Sequence, residues 1–321
     1  MQYSNPHVGN IKRRITDVAL WKLGYYGHGE HLGDVPKGFS YPRRKNQKRG
    51  KDQVTWIGHC TFLINTSGVN ILTDPVFGER VSPVSFIGPK RRHPPGVFFD
   101  DLPSIDVVLI SHNHYDHLEK ATVKALHAKN SKTLWIVPKE VGHTIKKMGP
   151  KKVAELSWWE RCGIGFDHNQ PLSLEITATP AQHFSGRRLF DFNRSLWAGY
   201  VVNCIKPREK KQLYFSGDTG YNEKDFKDIG ATFGPMDLSL LPIGTYEPVP
   251  FMEPVHVGPR QAVRIHKDVQ SKFSIGMHWK TFCLSDEPLD RPPYDLYRAM
   301  KKAKLDPRTF VPLDPGKSIN W

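Results

Sequence analysis

Apolar residues along this chain come in short runs separated by polar breaks. From residue 54 the sequence reads VTWIGHCTFLI, then Thr66-Ser67-Gly68, then VNILTDP. The first run has strand composition, the triplet has the chemistry of a turn, and the next run is a second strand. Residues 105–111, IDVVLIS, are apolar without alternation, which predicts a strand covered on both faces. Further strands are predicted in TLWIVP, LSLEITATPAQHF, LWAGYVVNCI, QLYFSGDTGY and SKFSIGMHW. Between them the spacing turns helical: at 120–129, in KEVGHTIKKMG, at 225–233, at 259–269 with Pro259 suited to a first helical position, and at 294–304 as a basic amphipathic helix. Strands alternate with helices in two halves, 54–180 and 190–315. This predicts an α/β sandwich of two mixed β-sheets with helices outside.

Residues 1–53 break that pattern. They carry Gly24, Gly27, Gly29, Gly33 and Gly38, and a basic run of Arg43, Arg44, Lys45, Lys48, Arg49 and Lys51. A short helix at 15–23 is expected, with irregular chain around it. The expected organisation is therefore an N-terminal extension, 1–53, and one domain, 54–321. Hydrophobic residues make up 38% of the chain, enough for a sizeable core, and wholesale disorder is excluded. The formal net charge of +14 favours an anionic partner: nucleic acid, an anionic membrane or a phosphate-bearing substrate. Cys60, Cys162, Cys204 and Cys283 are scattered, which argues against a disulfide framework and for a reducing compartment. The opening MQYSNPHVGNIKRR has no apolar signal region, and no run of about 18 apolar residues occurs. The expectation is a cytoplasmic protein that meets a membrane, if at all, from its surface.

The strand at 105–111 runs into Ser111-His112-Asn113-His114-Tyr115-Asp116-His117. Loops at strand ends are where such folds place their sites. An H-x-H pair there can turn two imidazoles toward one ion, and the following Asp-His pair can reach a second. Imidazole and carboxylate donors suit zinc, and also iron or manganese. A lone histidine in this setting is usually a loop cap. Four potential ligands in six positions are not well explained that way. Three more sit at predicted strand ends: His183 after ITATPAQ, Asp218 in FSGDTG, and His278 after SIGM.

The H-x-H-x-D-H spacing resembles the metallo-β-lactamase superfamily. The segments TWIGHCTFLI, ILTDPVF, GPKR, LPSIDVVLISHNHYDHL, TPAQHF, FSGDTGY, FGPMDLSLLPIGTYEP and AVRIHKDVQ together resemble its N-acylphosphatidylethanolamine-hydrolysing phospholipase D branch, from about residue 54 to about residue 316. The resemblance implies the αββα sandwich of that superfamily and two zinc ions. His112, His114 and His183 would hold one ion, Asp116, His117 and His278 the other, and Asp218 would bridge them, with a bridging hydroxide as nucleophile. His256 matches a histidine near the substrate, able to orient the phosphate or protonate the leaving oxygen. Where the family carries a glutamine before that histidine, this chain has Val255, which bears on headgroup preference. Arg187 and Tyr246 are candidates to meet substrate, and His59 and Asp74 to brace the ligands from behind. His266, within a predicted helix, reads as structural.

The leading functional expectation is a phospholipase D-type phosphodiesterase. It would act on a membrane phospholipid at an anionic surface and release N-acylethanolamine and phosphatidic acid. No nucleic-acid partner is expected, and a homodimer is compatible with the sequence. The Trp/Phe-rich segments with Phe86, Phe98, Phe99, Trp158 and Trp159 would suit peripheral membrane binding, but the expectation for most of these aromatics is burial in the core. The alternatives are a hydrolase of the same fold acting on a nucleic-acid phosphodiester or a lactone, and a non-catalytic lipid-binding protein. The complete ligand set argues against the last.

Overall fold

The structure is a computed structural model. It describes residues 2–9, 11, 15–26, 34–42, 52–84, 86–167, 171–188 and 190–321. The basic run at 43–51 lies outside the described residues. In chain order the strands are β1 (Gln53–Gly58), β2 (Thr61–Thr66), β3 (Val69–Thr73), β4 (Val107–Leu109), β5 (Leu134–Pro138), β6 (Val153–Leu156), β7 (Arg161–Asp167), β8 (Pro171–Thr179), β9 (Gly199–Lys206), β10 (Glu209–Phe215), β11 (Leu238–Pro242), β12 (Ser274–Met277), β13 (Phe310–Pro312) and β14 (Ser318–Asn320). The helices are α1 (Ile15–Lys22), α2 (Lys120–Lys129), α3 (Gly142–Lys147), α4 (Glu223–Phe233), α5 (Val249–Met252), α6 (Pro259–Asp268) and α7 (Arg291–Lys302).

The strands form two seven-stranded mixed sheets, ordered β14-β1-β2-β3-β4-β5-β6 and β13-β12-β11-β10-β9-β8-β7. The sandwich expected from the sequence is present, but its seam falls elsewhere. β7 and β8 precede residue 180 and yet belong to the second sheet, and β14 returns to the first.

Why β4 reads as uninterruptedly apolar is plain from its packing. Val107 and Leu109 face the core between the sheets, with Trp56, Phe62, Tyr200 and Leu240. Val108 and Ile110 point the other way, onto Val123 and Leu126 of α2 and Ile145 of α3. Successive side chains of a strand alternate faces, so a strand buried on both must be apolar at every position. The second sheet is covered likewise by Phe226 and Ile229 of α4, Ala262 and Val263 of α6, and Leu296 and Met300 of α7. Asn222 caps α4 by accepting from Asp225 N at 2.8 Å, and Pro259 opens α6.

One expected strand is two. The run at 54–64 breaks at His59-Cys60 into the β1–β2 hairpin. His59 adopts φ 53°, its N–H donates to Thr281 Oγ1 at 2.7 Å, and its carbonyl accepts from Trp56 Nε1 and His278 N. Its backbone groups are thus satisfied across the sandwich and not in a ladder, which ends the strand.

In the first sheet β1, β3 and β4 run the same way, and in the second β8, β10 and β12 do. His59, Asp74, His112, His183, Asp218 and His278 each follow the carboxyl end of one of these strands. The topology therefore gathers at one rim of the sandwich residues that lie far apart in sequence.

Candidate metal centre

Three imidazole nitrogens converge at this rim. His112 Nε2 lies 2.8 Å from His114 Nδ1, and His183 Nε2 lies 3.4 Å from the same atom. Beside them Asp218 Oδ2 is 3.2 Å from His117 Nε2 and 3.0 Å from His278 Nε2, and Asp116 Oδ2 is 3.4 and 3.7 Å from the same two nitrogens. Two groups thus have donor atoms close enough to hold an ion each: His112, His114 and His183, and Asp116, His117, Asp218 and His278. They meet through His117, whose ring stands 4.2 Å from that of His112.

The outer nitrogens of these rings are held by the protein, which fixes which nitrogen faces inward. His117 Nδ1 bonds Asp74 Oδ2 at 2.7 Å, His183 Nδ1 donates to Val255 O at 2.9 Å, His278 Nδ1 bonds Thr245 Oγ1 at 3.0 Å, and His112 Nδ1 bonds Ser111 Oγ at 2.9 Å. This is the arrangement by which proteins aim imidazoles at a metal. Asp74 also accepts from Ser111 N at 2.7 Å and from Ser111 Oγ at 2.5 Å, so one buried carboxylate steadies both the loop after β4 and His117.

The donor set fits a cation. His117 Nε2 and His278 Nε2 are buried and make no hydrogen bond, although a carboxylate oxygen lies near each. Burial holds His112 and His183 well below the ordinary imidazole pKa and brings His114 down to about 4, so these rings are neutral and their lone pairs free to ligate. Burial alone would raise Asp116 and Asp218, but His117 and His278 hold both carboxyls well below their usual range. In return the two carboxylates raise His117, and bring His278 up to about 9, against the effect of burial. That negative field is what a bound cation answers.

Of the bracing candidates, His59 Nε2 sits 3.1 Å from Asp116 Oδ2, its ring 4.1 Å from that of His278. Asp74 is the hub described above. His256 is half-buried with Nδ1 3.7 Å from Asp218 Oδ2, at the edge of the cluster. The two substrate candidates are engaged elsewhere. Arg187 Nη1 donates to Asn113 O at 2.9 Å and Leu118 O at 2.6 Å, and its guanidinium lies 3.9 Å over the Tyr115 ring. It braces the loop that carries His112 to His117. Tyr246 Oη donates to Asp295 Oδ2 at 2.6 Å and lines a separate cavity of about 880 Å³ that no cluster residue lines. Val255 turns its side chain into the core. His266 bonds Ser274 Oγ inside the fold, as its helical setting suggested.

Sequence reasoning missed Ser111, Thr245 and Cys60, whose Sγ lies 3.9 Å from Asp218 Oδ1. It also missed Asn5. Ser111 and Cys60 adjoin singled-out histidines, which is a weak signal. Thr245 and Asn5 bond cluster histidines far along the chain, His278 and His183.

The Beta-lactamase superfamily domain family matches residues 69–279. The N-acyl-phosphatidylethanolamine-hydrolyzing phospholipase D 1 of Caenorhabditis elegans is 39% identical over 82% of this chain and 74% of its own length. A mitochondrial protein of the same name from Saccharomyces cerevisiae is 35% identical over 80% of this chain and 54% of its own. Among solved structures, a metallo hydrolase from the archaeon Ignicoccus hospitalis superposes with a TM-score of 0.59 at 20% identity, covering 84% of this chain and 98% of that one. The last match speaks to the fold alone. With the family match and the His/Asp cluster, the chain belongs to the metallo-β-lactamase superfamily, in the branch of the N-acylphosphatidylethanolamine-hydrolysing phospholipases D, and is a metal-dependent hydrolase.

Proposed function

We propose that this enzyme uses two zinc ions to hydrolyse a membrane phospholipid, with N-acylphosphatidylethanolamine as substrate and N-acylethanolamine and phosphatidic acid as products. The observation that carries the reading is the pair of His/Asp groups meeting around His117 and Asp218, in a chain 39% identical to a phospholipase D of that name. His112, His114 and His183 would hold one ion and Asp116, His117 and His278 the other, with Asp218, close to both His117 and His278, available to both. Imidazole and carboxylate donors suit zinc, and iron or manganese accept the same set. When bound, two such ions supply Lewis acidity that brings a water's pKa toward neutrality and clamps phosphoryl oxygens.

The chain's own residues do the rest. Asp116 and Asp218, kept ionised by their histidine neighbours, fix the ligand geometry. His256, at the edge of the cluster, orients the phosphate and gives a proton to the ethanolamine oxygen as its bond to phosphorus breaks, while water supplies the new oxygen on phosphorus. Two dications against two carboxylates leave net positive charge, which favours an anionic phosphodiester over a neutral ring. The enzyme works from the cytoplasmic side as a peripheral protein, at an anionic lipid surface.

The test offers purified, metal-loaded enzyme N-acylphosphatidylethanolamine, phosphatidylethanolamine, a homoserine lactone and a short RNA at equal concentration. Products are followed by mass spectrometry. Phosphatidic acid and N-acylethanolamine are expected fastest, with plain phosphatidylethanolamine second. Faster RNA cleavage or lactone opening would overturn the substrate while leaving the fold and the cluster untouched.

A further inference from the structure

The segment far ahead of the first strand reaches the cluster. Residues 5–9 form a tight turn in which Gly9 N donates to Asn5 O at 3.1 Å and Asn5 Nδ2 donates to Gly9 O at 3.2 Å, with Gly9 at φ 70°. The turn presents the Asn5 carboxamide, only 3% exposed, to the main chain of His183. Nδ2 donates to His183 O at 3.0 Å, and Oδ1 accepts from His183 N at 3.0 Å. Oδ1 also accepts from Trp197 Nε1 at 3.2 Å. An amide has two donor hydrogens and an oxygen with two lone pairs, so every position is used, and turning the group over would break all four bonds.

His183 needs this partner. β8 has ended at Thr179, and by His183 the chain has left the sheet and lies fully buried. Among the described residues, only Asn5 meets its N–H and C=O. A buried main-chain pair without partners is strongly disfavoured. The rest of the segment lies along the loop that follows His183: Tyr3 N donates to Asn193 O at 2.8 Å, and Gln2 Nε2 to Phe192 O at 3.2 Å. Asn193 Oδ1 in turn accepts from Ser185 N at 3.1 Å, and the same loop carries Arg187, which braces the far side of the cluster.

We infer that Asn5 is a positioning residue for the first metal position: its carboxamide takes the place of a neighbouring strand for His183 and sets where His183 Nε2 points. The inference rests on the reading of His183 as a metal ligand. It makes residues 2–9 part of the catalytic domain and not an appendage to it.

The test compares Asn5→Ala, Asn5→Asp, His183→Ala and His7→Ala in the full chain. His7 sits on the same segment but pairs with Asp225 at 3.2 Å, so it controls for general loosening. The readouts are zinc per chain, zinc affinity by chelator competition, the visible spectrum of cobalt-loaded protein, and the melting temperature of metal-free protein. Asn5→Ala is expected to weaken one zinc about ten- to a hundred-fold and to alter the cobalt spectrum, the usual scale for residues that orient a ligand. Asn5→Asp keeps the acceptor for His183 N and Trp197 and loses the donor, so it should fall between, and it also serves if the alanine variant does not fold. His7→Ala should lower the melting temperature and leave zinc affinity unchanged. Wild-type affinity and spectrum in both Asn5 variants would overturn the inference, and so would an equal loss in His7→Ala. If His183→Ala retains both ions, the ligand reading falls and takes this inference with it. If His183→Ala loses one ion and neither Asn5 variant weakens any, only the role of Asn5 falls.

Discussion

Asp74 concentrates more of the site's order than any ligand does. Its Oδ2 receives both His117 Nδ1 and Ser111 Oγ, and its Oδ1 receives Ser111 N, all in full burial. The Ser111 hydroxyl continues to His112 Nδ1, so a single carboxylate orients one imidazole of each candidate metal group. Asp74→Asn keeps the shape and reverses half the chemistry. An amide NH₂ facing His117 Nδ1 favours the tautomer with the proton on Nε2, which removes the lone pair that faces the cluster. Chelator competition should then show affinity lowered about ten- to a hundred-fold with the fold intact by circular dichroism. Unchanged affinity would mean that His117 is held by something other than Asp74. Asp218→Ala is a harsher change, because it removes the carboxylate shared by His117 and His278. Steady-state assays should record a loss of turnover of several orders of magnitude, and an active variant would exclude a two-metal mechanism.

At the scale of elements, the cluster residues depend on how strands end. Gly217 turns the chain from β10 to Asp218 at φ 59°, and a Cβ there would stand 2.6 Å from Ser111 Cβ and 3.1 Å from Ala198 O. Gly217→Ala therefore combines a left-handed backbone, worth about 1–2 kcal/mol, with a collision against the residue beside His112. A lowered melting temperature together with weaker metal binding is expected, and a neutral outcome would show that the turn can relax. The far end of the same sheet has its own clamp. Asp52, just before β1, accepts from Lys206 and Lys211 of the β9–β10 hairpin at 2.7 and 2.9 Å. Burial alone would raise its pKa, but the two ammonium groups hold the carboxyl below its ordinary value. A depressed carboxylate stabilises the fold above its unfolded pKa, about 3.9, and that contribution fades as pH falls through the folded value. The stability gap between metal-free wild type and Asp52→Asn, from denaturant unfolding at a series of pH values, should be widest near neutrality, about 1–3 kcal/mol, and should close in acid. A gap independent of pH would assign the effect to packing. These elements also explain what the sequence made legible. His112, His183, Asp218 and His278 stood out because each follows an apolar run where a strand stops, and His114, Asp116 and His117 because they crowd the same loop as His112. The β1–β2 hairpin did not, because His59 is the sole imidazole in an otherwise strand-like run, and its reason for turning, Asp116 and Thr281, lies far along the chain. Of the strands not predicted, which include β6 and β11, β7 was missed because Gly163 and Gly165 dilute its apolar face, and β13 and β14 because three residues carry no period. Asn5 could not be read at all, since its partner is 178 residues away.

For the molecule as a whole, the proposed phospholipid substrate raises the question of how a +14 protein with no described helix long and apolar enough to cross a membrane would reach a lipid. Most of the aromatics singled out from the sequence are exposed and not core, against expectation. Phe99 and Trp158 pack against the core clusters, whereas Phe86 is 73% exposed, and Phe98 and Trp159 are exposed as well. Phe86 belongs to a loop closed by the Arg80–Lys90 bridge, whose tip also exposes Val84 and, at 62%, Ile87. Lys90 and Arg92 flank that tip in the open, while Arg91 folds back to donate to Val76 O and Gly78 O. An apolar tip with basic flanks suits an anionic bilayer, because the side chains enter the interface and the cations meet headgroups. The two contributions separate by salt. Each basic residue near such a surface gives about 1 kcal/mol at physiological salt, and its reach of about 8 Å shrinks as salt rises. Burial of an apolar side chain gives about 1.5–3 kcal/mol and does not depend on charge screening. Co-sedimentation with phosphatidylserine vesicles should therefore fall with added salt to a residual level above zero. Lys90→Glu with Arg92→Glu should remove mainly the salt-sensitive part, and Phe86→Ser with Ile87→Ser mainly the residual. Turnover of a short-chain soluble phosphodiester should stay unchanged in both, since neither pair touches the cluster. Vesicle binding that neither pair reduces would move the anchor off this loop, to a surface such as the basic run at 43–51.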